Sequence, residues 1–463
     1  MSASLVTVSP VDGSHYVERD MASLDEIELT LKRAHQAQED WKRCDLEQRA
    51  EYLREMVKQF CRAEKEIAEE LSWQMGRPVS QGPAEVRGFA QRAHHMIDSA
   101  EVALADINLP SGAGLKRFIR RQPLGVVLSI APWNYPYLTA VNSVVPALMA
   151  GNSVILKHSE QSPLCAERMV RAADAAGLPS GLFQYLHMGP SHTGRVIADK
   201  RVSFVSFTGS VRVGAEIERA AVGRFMGVGL ELGGKDPAYV RPDANIAYAV
   251  EQLADGAFYN SGQSCCGIER IYVHHDVYEE FVEGLVECAK RYRLGDPLDP
   301  ITTLGPVARA AGARHIEHQL GEALRMGARG LVDPGLFPRA RSGPLYIPPQ
   351  VLVDVDHRMS VMKEETFGPV VGVMKVESDD QAIDLMNDSP YGLTASIWTR
   401  DRDDAIELGS RVETGTWFMN RCDYLDPALA WVGVKDSGRG CTLSRVGYEQ
   451  LTRPMSFHLK ASP

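Results

Sequence analysis

The chain has no excess of positive charge. Its 463 residues carry 50 lysines and arginines against 60 acids, a net charge of −10, so it lacks the basic surplus that contact with a phosphate backbone demands. Nucleic acid is not an expected partner. Clustered cysteines are missing too: Cys44, Cys61, Cys165, Cys265, Cys266, Cys288, Cys422 and Cys441 are scattered, without the spacing of a disulfide scaffold or zinc ribbon. The histidine pairs His94–His95 and His274–His275 lack metal-ligand spacing, and no metal is expected. The first ten residues lack the basic start and apolar run of a secretory signal, and the closing Ala-Ser-Pro is not a peroxisomal address. With a reducing environment implied by the cysteines, the expected location is the cytoplasm.

Charge is absent altogether between Arg121 and Lys157, a run long enough to cross a bilayer. Pro123, Pro132, Pro136 and Pro146, with Asn134, Asn142 and Asn152, would leave broken backbone and polar groups facing lipid there. The run therefore reads as buried strand, loop, helix and strand, and no membrane is an expected partner. With 44% hydrophobic and 24% charged residues the chain has ample material for a large core.

From Leu24 to Met75 apolar residues recur at helical spacing, as in Leu31, Ala34, Ala37, Trp41 and Leu53, Met56, Val57, Phe60. After Gly125 short Val- and Ile-rich runs (GVVLSIAP, SVILKH, GLFQYLHM, VSFVSFTG) alternate with helix-length segments. After Lys235 the alternation restarts with PAYV, a helix near Ile246 to Phe258, RIYV and SIWT. Two α/β units with parallel sheets follow, their functional groups gathered at the carboxyl ends of strands. Leu109 to Arg121, with Gly112 and Gly114, reads as an exposed hairpin.

Two familiar nucleotide signatures are also lacking. GLELGGKD (229–236) approaches phosphate-loop spacing, but Asp236 stands where a magnesium-binding Ser or Thr is required. The GxGxxG fingerprint has only a distant equivalent in FTGSVRVG (207–214), where Gly209 and Gly214 bracket a helix start able to face a phosphate. What stands out is NSGQSCCGIERIYV (260–273), two adjacent cysteines in a polar loop just before an apolar strand. Alone, such a pair is more commonly two inert buried thiols. ELGGK (231–235) puts an acid ahead of two glycines that permit close backbone approach, and APWNYP (131–136) holds Asn134 between prolines. A thiol, a carboxylate and a fixed amide donor together are the parts of acyl chemistry through a thioester.

PWNYP, LKHSE, FTGS, ELGGK, GQSCC and EETFGP occur in the order and approximate spacing of the aldehyde dehydrogenase superfamily, which the chain resembles over nearly its whole length. The resemblance is to the NAD(P)-dependent, non-acylating enzymes. It implies Cys265 as nucleophile, Glu231 as general base and Asn134 with the Cys265 N–H as oxyanion donors. It implies cofactor contacts from Trp133, Lys157, Glu160, Gly189, Gly209, Ser210, Leu232, Glu365 and Phe367, with Lys157 and Glu160 on the adenosine ribose, Ser210 at the pyrophosphate, and Glu365 and Phe367 at the nicotinamide end. An acid beside the ribose favours NAD, with NADP as the alternative.

By position in the same family, Tyr135, Asn142, Tyr259, Leu425 and Trp431 line the path to Cys265, suiting a medium aliphatic or aromatic aldehyde. Arg421 is the candidate anchor for a semialdehyde carboxylate. His158 replaces a frequent proline, and Ser143 stands where many members have a lysine. Glu231 argues against acyl transfer to coenzyme A, and the retained Cys265 and Glu231 argue against a non-catalytic binding protein.

The implied architecture is α/β. A Rossmann-like dinucleotide-binding domain spans 1–108 and 122–233, and a second α/β catalytic domain spans 234–434. A small β oligomerisation element from 109–121 and 435–463 would join a homodimer or homotetramer.

Overall fold

A computed structural model describes residues 4–110 and 114–461. The tip of the expected hairpin, with Gly112, and the ends of the chain lie outside the described residues. In the first sheet the strands Val126–Ala131, Ser153–His158, Phe183–Tyr185, Val202–Thr208 and Gly227–Glu231 are all parallel. The first three run outward in one direction from Val126–Ala131, and the last two are added on its other side. That reversal opens a crevice at the carboxyl ends of Val126–Ala131 and Val202–Thr208, where doubly wound sheets bind ligands.

Parallel strands covered on both faces need continuous apolar sequence, and Val127, Leu128, Val154, Ile155 and Val205 are fully buried. The uncharged stretch is interior because the helix Pro136–Met149 is itself buried along nearly its whole length. Among the described residues no helix is long and apolar enough to cross a membrane.

The second sheet has seven strands, in the order Arg329–Gly330, Gln350–Val353, Val370–Val376, Ile268–His274, Asp236–Val240, Thr394–Trp398 and Thr416–Met419. All neighbours are parallel except the first pair. The helix expected near Ile246 to Phe258 spans Ile246–Phe258.

A third, antiparallel sheet joins Thr452–Lys460 to Leu115–Pro123, and that strand to Ile107–Asn108. The expected bridging element 435–463 is therefore divided. Val434–Lys435 pairs with Tyr391–Gly392, and Gly438–Arg439 extends the first sheet antiparallel to Gly227–Glu231. The turn that carries the chain back onto the first sheet needs Gly438, at φ +122°, where a Cβ would lie 2.0 Å from the Leu230 carbonyl oxygen. Only the final strand reaches the third sheet.

The helices Leu24–Trp41, Leu46–Cys61 and Glu64–Met75 follow the periodicity of the sequence. Two further elements lay outside the sequence reading: the hairpin of Ser4–Val8 with His15–Asp20, and the long helix Gly82–Leu104. That helix packs across Pro136–Met149 and supplies side chains to the site.

Candidate active site

Strand ends deliver the motif residues. Ala131 closes its strand and leads through Pro132–Tyr135 to Pro136, the first residue of the next helix. Glu231 closes Gly227–Glu231 in register with Thr208. Past it, Gly234 comes so near the cysteine loop that a Cβ would lie 2.3 Å from the Cys265 carbonyl oxygen. Before Cys265 the turn Tyr259–Gly262 holds Asn260 and Ser261 at φ 53° and 57°, a conformation that costs a non-glycine residue about 1–3 kcal/mol. It is pinned by the Asn260 amide, which donates to the carbonyls of Asn134 (3.3 Å) and Gln263 (3.2 Å), and by the Ser261 hydroxyl on Gly305 (2.8 Å).

Cys265 and Glu231 line one cavity of about 440 Å³. All five residues expected along the substrate path, Tyr135, Asn142, Tyr259, Leu425 and Trp431, lie in its wall. Glu231 accepts from the hydroxyls of Thr208 at 2.9 Å and Thr442 at 2.5 Å. Burial pushes its carboxyl above the ordinary carboxylate value, and the two hydroxyl bonds oppose that rise. Asn134 sits behind the lining; its Nδ2 donates to the Gln263 carbonyl at 3.1 Å, and its own carbonyl accepts from Arg77. Arg77 and Glu85 form an ion pair with both side chains fully buried, and Glu85 also accepts the N–H groups of Tyr137 and Leu138. This pair fixes the start of the helix that follows Asn134.

All eight cysteines are free. Cys266 is buried and donates its thiol to Asp423 at 3.0 Å, as Ser264 donates its hydroxyl at 2.8 Å. The bond with Cys265 and then burial push the Cys266 thiol well up. Arg421 does not reach the cavity, contrary to its expected place as a carboxylate anchor. It is exposed, with its guanidinium 3.4 Å from the centre of the Tyr424 ring. Asp423 (φ 45°) lines the cavity, and Arg421, next to Asn420 at φ 55°, does not. Ser143 bonds the Ser129 hydroxyl at 2.7 Å between helix and sheet.

A second cleft of about 540 Å³ opens at the crevice of the first sheet, lined by Trp133, Lys157, Glu160, Gly209 and Ser210. Thr208 lines both cavities, so they meet there. Ser210 caps the helix Val211–Ala221, whose first N–H groups lie at the cleft and suit an anion. Gly189 caps Pro190–Ala198, and it is that helix's Pro190, Thr193 and Gly194 that line the cleft. Burial lowers the Lys157 amine, opposed by Glu160. His158 is buried, and burial holds its imidazole neutral with a pKa of about 3.

Leu232, Glu365 and Phe367 lie outside the cleft lining. Phe367 packs edge-on against Trp133 at 5.6 Å, Glu365 accepts the Gly234 N–H at 3.1 Å, and a Leu232 methyl abuts Gly214. A cleft lined by a helix N-terminus, a lysine and an acid, and sharing Thr208 with the thiol cavity, suits a dinucleotide.

Sequence reasoning missed Arg92, Arg77, Glu85 and Thr442, and also Arg309, which bonds Ser159 (2.9 Å) and lies over Trp133. Helical spacing of Glu85, Arg92 and the buried Val86, Phe89 and Ala93 was the available signal for the first group. The ligand atoms of His274, His275 and Asp276 come within 4.8 Å of one another on three consecutive residues, but the His274 Nδ1 accepts the Asp276 N–H and no metal is assigned.

Residues 2–457 match the aldehyde dehydrogenase family model. The chain is 33% identical to an NAD(P)+ succinate semialdehyde dehydrogenase of Escherichia coli (strain K12), over 96% of both chains. It is 32% identical to an NADP+ succinate-semialdehyde dehydrogenase of Mycobacterium tuberculosis (strain ATCC 25618 / H37Rv), over 96% of this chain and 97% of that one. Among solved structures, the NADP-dependent glyceraldehyde-3-phosphate dehydrogenase of Bacillus halodurans superposes with a TM-score of 0.93 at 30% identity, covering 99% and 96% of the chains. With the whole length matched and the thiol, carboxylate and dinucleotide cleft in place, the chain belongs to the aldehyde dehydrogenase family and is an oxidoreductase acting on aldehydes.

Proposed function

We propose that the chain oxidises an aldehyde to its carboxylic acid through a thioester on Cys265, with NAD(P) as hydride acceptor. The observation that carries this reading is the meeting of two cavities at Thr208, one holding Cys265 and Glu231, the other shaped for a dinucleotide. Once its proton has passed to solvent, the Cys265 sulfur adds as thiolate to the aldehyde carbon, the carbonyl π bond opens, and the oxygen becomes an oxyanion held by the Asn134 amide and the Cys265 N–H. A bound NAD(P) would supply the hydride acceptor, and with the hydride gone from that carbon the acyl group stays on the Cys265 sulfur as a thioester. Glu231 then removes a proton from the attacking water, the carbon–sulfur bond breaks, and acid and free thiol result. Burial makes Glu231 a stronger base than a surface carboxylate, while the bonds from Thr208 and Thr442 favour its ionised form.

Lys157 and Glu160 would hold the adenosine ribose, Ser210 and its helix the pyrophosphate, and Glu365 and Phe367 the nicotinamide end. Gly209 and Gly189 would shape the cleft, and Trp133 and Leu232 pack beside it. The acid at Glu160 supports NAD; the relatives named above use NADP or either cofactor. The reading places a homodimer or homotetramer in the cytoplasm. It is supported by the scattered free cysteines and by the exposed edge strand Thr452–Lys460.

The test is NAD(P)H production across aliphatic, aromatic and carboxylate-bearing aldehydes, with Cys265→Ser alongside. Turnover lost in the variant while the cofactor still binds is the expected result. Unchanged turnover overturns the assignment of Cys265.

A further inference from the structure

Arg92 projects from the helix Gly82–Leu104 into the wall of the Cys265 cavity and is 8% exposed. Its Nη1 donates to the Leu138 carbonyl at 2.5 Å and to Asn142 Oδ1 at 3.4 Å. Among the described residues no carboxylate pairs with it. Glu85, the acid whose charge acts on it most, is committed to Arg77 and two backbone N–H groups. A guanidinium stays charged in a protein, and a buried charge without a partner is strongly unfavourable. Beside it Asn142, 2% exposed, has an Nδ2 group with no acceptor. Two neighbouring donor side chains, one charged, thus lie in the wall of the cavity that holds the reactive thiol.

We propose that Arg92 and the Asn142 amide bind a carboxylate at the far end of the aldehyde, so that the substrate class is a short carboxylate-bearing aldehyde. This rests on the aldehyde-oxidising reading given above. A carboxylate is planar, accepts two parallel N–H bonds from a guanidinium, and carries the single negative charge that one free arginine balances. A phosphate dianion would need a second cation. Arg87 is at the exposed rim with Asp255, while Arg77 is paired already. Asp423 and Glu231 both feel the charge of Arg92, but neither bonds it: Asp423 accepts from Ser264 and Cys266, and Glu231 from Thr208 and Thr442. The tyrosines, Leu425 and Trp431 pack the intervening carbons.

The test compares succinate semialdehyde with butanal, an uncharged aldehyde of equal length, in the wild type and in Arg92→Met, Arg92→Lys and Asn142→Ala. The wild type is expected to favour the carboxylate substrate by about a hundredfold in kcat/KM, mostly through KM. Arg92→Met should lose about a hundredfold on succinate semialdehyde and at least tenfold less than that on butanal, with Arg92→Lys recovering part of the loss. A wild type that does not discriminate, or equal losses on both substrates, overturns the anchor while leaving aldehyde oxidation standing. Absence of turnover with every aldehyde overturns the underlying reading instead. If Arg92→Met does not fold, as thermal melting would show, the wild-type ratio and the selective loss expected in Asn142→Ala decide the matter. A three-carbon aldehyde bearing a phosphate, preferred over both, would also overturn the carboxylate assignment.

Discussion

Thr442 donates its hydroxyl to Oε1 of Glu231 at 2.5 Å across 211 positions of sequence. The bond exists because Gly438–Arg439 adds to the edge of the first sheet beside Gly227–Glu231 and brings the C-terminal segment against the proposed base. Hydrogen bonds to a carboxylate favour its ionised form. Thr442→Val should therefore raise the Glu231 pKa further. Since the base works ionised, the acidic limb of the kcat profile should move to higher pH, as steady-state rates between pH 5 and 9 would show. Glu231→Gln should still give a first burst of NAD(P)H and then turn over slowly; full rate in both phases would remove Glu231 from the mechanism.

Asn134 is held at both ends, its amide on Gln263 and its carbonyl under Arg77 and Asn260. Loss of one oxyanion donor typically reduces kcat by about 10²–10³, and Asn134→Ala is expected in that range with cofactor affinity retained. Glu85→Ala acts differently, because it strands Arg77 in the interior without its carboxylate. Breaking such a buried pair costs roughly 3–5 kcal/mol, which urea denaturation would read as a lower midpoint. A change below about 1 kcal/mol would show that Arg77 finds another partner.

The strand Thr452–Lys460 is the outer strand of the third sheet, with Met455 and Leu459 each 49% exposed. A long, partly apolar free edge is a site for pairing with another chain, and the stacked Phe118 and Phe457 rings, 4.4 Å apart under Arg120, stiffen it. Light scattering is expected to show a dimer or tetramer at micromolar concentration. Met455→Lys with Leu459→Lys should shift the mass toward the monomer. A monomeric wild type would refute the oligomeric reading.

The two parallel sheets were legible because each βα unit carries its own apolar run and turn. The site was legible where chemistry sits at strand ends, as at Asn134, Lys157, Ser210 and Glu231. Tyr135, Asn142, Tyr259, Leu425 and Trp431 were placed by their positions in the family and not by a local pattern. Arg92 and Thr442 could not, since each meets its partner across a helix crossing or a sheet edge that no local pattern encodes, and Arg77 meets Glu85 across the bend between the helices Glu64–Met75 and Gly82–Leu104. Arg421 misled because its segment is irregular, with positive φ at Asn420 and Asp423, so that no strand or helix periodicity shows which side chain reaches the cavity.

Glu365 gives the proposed cofactor site a pH signature. Burial, with the Glu269 charge added, lifts its carboxyl to about 8, although the Gly234 N–H works in the other direction. If its carboxylate accepts the nicotinamide ribose hydroxyls, binding requires losing a proton that the free enzyme retains at neutral pH. The NAD or NADP Kd should therefore fall as pH rises from 6 to 9 and level off above about 8, as tryptophan quenching would follow. Glu365→Gln should bind more weakly and without that slope. The same raised value has a stability consequence of opposite sign. A carboxyl whose folded pKa exceeds its unfolded one contributes fully at low pH, and that contribution is lost as pH rises through the folded value. The cofactor-free wild type should thus lose Tm between pH 6 and 9, and Glu365→Gln should lose less. A wild-type Kd that stays flat across that range would remove Glu365 from the cofactor contacts.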